Sequence, residues 1–167
     1  MSLQPTIFAD VESGPTVWIR VEGKGTFQNS PGLKDFSRRM IENGRRAFVV
    51  DLLHCPAMDS TFMGTLAGLA LRLREAGGGN LWVVNRNDRN AGLLEDLGLV
   101  ELFSECPAPE INGGGGDAIT HTADKATTRE VMLEAHEVCV EVNPKNAAHF
   151  RDVLDFLNAS AAKDAAK

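Results

Sequence analysis

A chain of 167 residues, 43% of them hydrophobic, has room for one ordinary domain with its own core plus an appendage. Its formal net charge of −6 argues against general nucleic-acid binding, which needs clustered Lys and Arg; the pairs Arg38-Arg39 and Arg45-Arg46 read as solvated helix and turn positions. The cysteines Cys55, Cys106 and Cys139 form no CxxC pair, and only His54-Cys55 brings a histidine beside a thiol. Adjacent residues point apart and chelate poorly, so neither a disulfide scaffold nor a metal site is expected. The start, Met1-Ser2-Leu3-Gln4-Pro5, has no basic and apolar leader pattern, and no apolar run reaches membrane-spanning length. Together these features predict a cytoplasmic protein.

Ile7–Val11 and Thr16–Val21 read as two strands around the turn Ser13-Gly14-Pro15, with Val17, Ile19 and Val21 alternating against Trp18 and Arg20. From about Pro31 to Asn43 the apolar stripe Leu33, Phe36, Met40 and Ile41 predicts a helix, capped at Ser30 and stopped by Asn43-Gly44. Ala47 to Leu53 is nearly continuous in apolar residues, as in a strand buried on both faces. A helix follows from Ser60 to the Gly77-Gly78-Gly79 stop. Leu81–Val84 is another buried strand, and Asn90–Leu97 a short helix closed by Gly98. Strand–helix alternation predicts parallel neighbours, so the fold class is α/β with a mixed, mostly parallel sheet packed with helices.

Composition shifts at Cys106-Pro107-Ala108-Pro109, and Gly113–Gly116 reads as a flexible linker. The expected organisation is therefore a domain over residues 1–106, a Pro/Gly-rich linker over 107–126 and a helical extension over 127–167. In the extension, Thr127 with Glu130 reads as a capping box, and Val131, Ala135, Val138 and Val142 form a stripe. Asn143-Pro144 starts a second helix with Ala147, Phe150, Leu154 and Leu157 on one face. The two stripes can bury against each other, against the first domain or across a homodimer.

No phosphate loop, dinucleotide fingerprint, nucleophile elbow or justified carboxylate pair is present, and His136 and His149 read as surface or packing residues of the tail. No enzyme, cofactor or metal is expected. The informative stretch is Asp59-Ser60-Thr61-Phe62-Met63-Gly64, between a strand and a helix. A hydroxyl beside a carboxylate at a helix start is either an ordinary cap, contributing about 1 kcal/mol, or a place where a phosphate is written. Along that helix Phe62, Leu66, Leu69 and Leu73 face the core, while Gly64, Gly68, Leu71 and Glu75 share another face. A helical glycine costs roughly 1 kcal/mol relative to Ala, so this second face serves either a close helix–helix approach or a groove for a partner.

Val49-Val50-Asp51-Leu52, Met58 to Gly64, Leu81-Trp82-Val83-Val84 and Leu97-Gly98-Leu99 together resemble the STAS domain family, the bacterial anti-sigma-factor antagonists and their relatives. The likeness spans roughly residues 6–104 and implies a single STAS-like α/β domain followed by a C-terminal helical extension. It further implies a non-catalytic switch: a partner serine/threonine kinase acting as anti-sigma factor phosphorylates Ser60, with Thr61 as the alternative acceptor, and a PP2C-type phosphatase reverses it. The docking surface so implied centres on Asp59, Thr61, Phe62, Met63 and Gly64, to which the glycine-bearing helix face adds Gly68 and Leu71; charge and hydropathy leave no nucleic acid or membrane as partner. A non-phosphorylated interaction subunit of a signalling or transport complex is the alternative. Two positions depart from the pattern. Phe62 replaces a glycine, as either a partner anchor or a block that leaves Ser60 a cap, and Gly25-Thr26-Phe27-Gln28 replaces a loop that commonly carries Asp.

Overall fold

A computed structural model describes residues 5–105, 107–109 and 116–165, with side chains to residue 163. In chain order the elements are β1 (Thr6–Asp10), β2 (Thr16–Glu22), α1 (Ser30–Glu42), β3 (Ala47–His54), α2 (Ser60–Glu75), β4 (Asn80–Val84) and α3 (Asp88–Asp96). A 3-10 turn (Val100–Leu102), β5 (Asp117–Ala118), α4 (Lys125–Val142), α5 (Asn146–His149) and α6 (Arg151–Ala165) complete them. The sheet runs β4-β3-β2-β1-β5, with β2, β3 and β4 parallel and β1 antiparallel to both of its neighbours. The expected α/β class and mixed sheet are therefore observed.

Register explains where the core lies. Val17 pairs with Phe48 and Phe48 with Leu81; two residues on, Ile19, Val50 and Val83 form a second row. Side chains alternate across a strand, so these rows share one face, and α1 and α2 pack on it. On the opposite face Trp18, Val49 and Trp82 align, which buries Val49 completely. The expectation that β3 is buried on both faces holds through Val50 and fails beyond it, because Leu53 is 62% exposed past the end of β4.

The described part of the presumed linker includes an edge strand. β5 pairs with β1, Phe8 opposite Ala118, and Ile119 N–H donates to the Ile7 carbonyl at 2.7 Å. A two-residue strand has no periodicity to read, which is why composition alone suggested a loop. Residues 110–115, and with them Gly113–Gly115 and the Cys106 boundary, lie outside the described residues. Arg45 is also not a solvated turn residue: its guanidinium donates to the carbonyls of Gly14 (2.6 Å) and Val11 (2.7 Å), fixing the β1–β2 turn.

In the extension α4 starts at Lys125, capped by the Asp124 carboxylate accepting from Thr127 N–H at 2.7 Å, so Thr127 is a donor inside the first turn and not the capping residue. The second helix is split at Phe150 into α5 and α6. Phe150 turns into the core at 4% exposure, whereas Ala147, expected on the same face, is exposed. The tail folds back within the chain: α4 packs on α2 and touches α1, and α6 packs on α4. Among the described residues no helix is long and apolar enough to cross a membrane.

Asn146 fastens the tail. Its side-chain amide, 4% exposed, donates to the Leu97 and Cys139 carbonyls, both at 2.9 Å. Asn143 N–H still serves Cys139, so Asn146→Ala mainly orphans Leu97 and should lower unfolding free energy by about 2 kcal/mol in urea titrations. The Cys139 thiol, fully buried on the inner face of α4, is pushed up to about 11 by desolvation. A raised folded value favours the native state below the unfolded thiol's pKa of about 8.5 and loses that contribution as pH climbs through the folded value. Stability should therefore fall from about pH 8.5 towards about 11, more steeply in the native chain than in Cys139→Ala, by denaturation at stepped pH.

Candidate functional site

The loops after β2 and β3 are laced together before α2 begins. Gly25 and Met58 form a parallel bridge; Gly25 N–H donates to Ala57 at 3.0 Å, and Asp59 N–H to Gly25 at 2.9 Å. Asp59 then caps α2 from an extended backbone. One carboxylate oxygen accepts from Phe62 N–H and the other from Phe27 N–H, both at 2.8 Å. The cap is thus Asp59, and Ser60 is the first helical residue with its hydroxyl left over.

Phe62 is fully buried, and a side-chain carbon on Gly25 would lie 2.6 Å from its ring. The bulk that Phe62 adds is accommodated by the bare backbone of Gly25, which the facing loop supplies. Phe62 thereby joins the core without obstructing Ser60.

Ser60 is half-buried, and its Oγ lies 2.8 Å from Nε2 of His136 on α4. His136 is 2% exposed; its Nδ1 lies 2.6 Å from the Met132 carbonyl, and its ring meets Phe150 edge-on at 4.8 Å. A carbonyl only accepts, so Nδ1 carries the proton in the neutral ring and Nε2 accepts from the serine hydroxyl. The sequence placed His136 among surface or packing residues. A histidine between Ala135 and Cys139 in an amphipathic helix was the only available signal, since the contact bridges 76 positions.

α4 reaches this place because Gly64 lets it. A side-chain carbon at Gly64 would collide with the Ala135 backbone carbonyl, so the two helices meet backbone to backbone there. Glu134 adds polar registration, bonding Arg72 of α2 at 2.9 Å and pairing with Lys34 of α1. Such partly exposed pairs each contribute at most about 1 kcal/mol, so they orient a helix held chiefly by Val131, Ala135 and Cys139. The remaining site residues follow from this seating. Thr61 is 2% exposed, its carbonyl accepting from Thr65; Met63 is 4% exposed; Gly68 lines the cleft beneath α4, and Leu71 is half-buried beside it.

Ser60 opens on a groove of about 480 Å³ between α3 and α5, floored by Met63, Leu97 and Phe150 and bearing Asp96, Lys145 and His149. A larger groove of about 1070 Å³ along the outer edge of β4 contains no part of the Asp59–Gly64 motif. Among the described residues no three His, Cys, Asp or Glu side chains gather as a metal site.

Comparison with known proteins agrees with this architecture. A family model described as STAS domain matches residues 8–111. A Thermotoga maritima structure provisionally assigned as an anti-sigma factor antagonist superposes with a TM-score of 0.53 at 14% identity, covering 58% of this chain and 82% of that one. A structure named Mglu aligns at 21% identity and a TM-score of 0.42 over 48% of this chain and 20% of its own. No curated protein matches the chain in sequence.

Gly64→Ala separates helix propensity from packing. Ala gains about 1 kcal/mol of propensity, but the new methyl meets a backbone atom that cannot rotate away, and overpacking of that kind costs about 1–3 kcal/mol. The expected result is faster amide exchange across residues 125–142, measured by mass spectrometry, with sheet protection retained.

Proposed function

Because this chain belongs to the STAS domain family, we propose that it is a non-catalytic, anti-sigma-factor-antagonist-like signalling protein, switched by phosphorylation of Ser60. The partner is a serine/threonine kinase that also acts as an anti-sigma factor, so the output is regulation of transcription, and a PP2C-type phosphatase resets the switch. Such a cycle operates in the cytoplasm, where the nucleoside triphosphate is. The supporting observation is the position of Ser60. Its hydroxyl borders an open groove and is not consumed by the cap, whereas the neighbouring hydroxyl of Thr61 is buried. A phosphate at a helix start is tolerated by the free protein, because free amides and the helix dipole favour an anion. The same charge, about −1.5 to −2, is costly in a desolvated interface.

The docking segment of this reading comprises Asp59, Thr61, Phe62, Met63, Gly64, Gly68 and Leu71, although Thr61, Phe62 and Met63 are themselves buried and shape the surface from beneath. α4 lies over Gly64 and Gly68, so a partner reaches them only as α4 moves, or else docks at the groove end of α2. The second reading, a constitutive interaction subunit that docks through the Gly64, Gly68 and Leu71 face, meets the same covering by α4. A homodimer through the extension would use Val153 and Phe156 of α6, which are 37% and 70% exposed.

Phosphosite mapping on the protein isolated from its native host should find one phosphoryl group at Ser60. Its absence through growth and stress would favour the constitutive subunit. Ser60→Ala should fold normally, losing about 1 kcal/mol for the hydroxyl–imidazole bond while the Asp59 cap persists.

A further inference from the structure

Ser60 and His136 carry more than a packing contact. We propose that His136 is the in-chain proton acceptor that makes Ser60 Oγ nucleophilic towards a phosphoryl donor, so that the C-terminal extension is part of the acceptor site. The inference deepens the reading of Ser60 as a modified hydroxyl and rests on it.

Three observations place these groups in those roles. Oγ and Nε2 are 2.8 Å apart, within reach for direct proton transfer. The far side of the ring is fixed by Nδ1–H donating to the Met132 carbonyl at 2.6 Å, which leaves Nε2 as the bare acceptor; a nucleophile, a base and a third group orienting that base is the arrangement of activated serines. The imidazole is 2% exposed and held edge-on by Phe150, so its orientation is set by packing, whereas Oγ borders a groove that can admit an electrophile.

The step balances with a nucleoside triphosphate as donor. Oγ forms a bond to the γ-phosphorus, the bond from that phosphorus to the β,γ-bridging oxygen breaks, and the nucleoside diphosphate leaves. The hydroxyl proton passes to Nε2. The resulting imidazolium, still donating through Nδ1 to Met132, lies beside the new phosphate, and Lys145 puts a further cationic group on the same groove, opposed by Asp96.

The test needs no kinase. Diisopropyl fluorophosphate is a phosphoryl electrophile that reports serine nucleophilicity directly, with fluoride as the leaving group. Peptide mapping of the treated full chain should place the adduct on Ser60, and His136→Gln should slow its formation at least tenfold. No adduct on Ser60, or an equal rate in His136→Gln, overturns the proposal. Nitrogen-15 NMR of the unsubstituted chain decides independently of whether the variant folds. The expected signature of the neutral ring is the Nδ1–H tautomer; a neutral ring with its proton on Nε2 overturns the assignment. Phosphosite mapping from the host can fail because no kinase recognises the chain while this labelling succeeds, so the two readings fall separately.

Discussion

The backbone-to-backbone meeting of α4 with α2 at Gly64 is the contact on which the arrangement of this molecule depends. Helix axes that close need a position without a side chain, and the Ala135 carbonyl occupies the space a methyl would take. Once the axes are that close, the azimuth of α4 is nearly fixed. Ala135 points at Gly64, Glu134 turns to Arg72 and Lys34, and His136 swings to the start of α2 where Ser60 waits. Three consecutive residues of one helix thus perform packing, registration and hydrogen bonding. The apolar area beneath α4 supplies most of the energy, and the polar contacts determine where along α2 it is delivered.

The start of α2 is organised by a separate device. Asp59 accepts from two backbone N–H groups on different loops, joining the β2–α1 connection to the helix start. The carboxylate thereby does the capping that the serine otherwise would do, and the serine hydroxyl is released for another partner. The same loop supplies Gly25 under the ring of Phe62, so an unusual large residue beside the motif serine becomes part of the core. Family membership and local geometry meet here: the motif keeps its loop and its helix start, and the changed residue is absorbed by a complementary absence across the loop.

Much of the architecture was legible in order. The alternation of Val17, Ile19 and Val21, the apolar run from Ala47 and the stripe Phe62, Leu66, Leu69 and Leu73 each have a period that matches one element, and each element formed close to its expected bounds. Local chemistry was less decisive where two groups competed. Asp124 took the cap from Thr127, and the second tail helix is interrupted at Phe150, with Phe150 and Leu157 buried as expected and Ala147 left exposed. β5 was invisible, since two residues have no pattern and depend on β1 for their hydrogen bonds.

By itself the sequence determined the fold class, the element order, the motif at Asp59–Gly64 and the apolar faces that had to be covered, because these follow from periodicities and caps within a few residues of one another. Only the tertiary structure decided what covers the Gly64–Gly68 face and which hydroxyl is free. It likewise decided that the partner of Ser60 is a histidine 76 positions away. Periodicity states which side chains share a face. The residue across the interface follows from the closest approach that two particular helices can make, and that distance is set by a missing methyl group at Gly64.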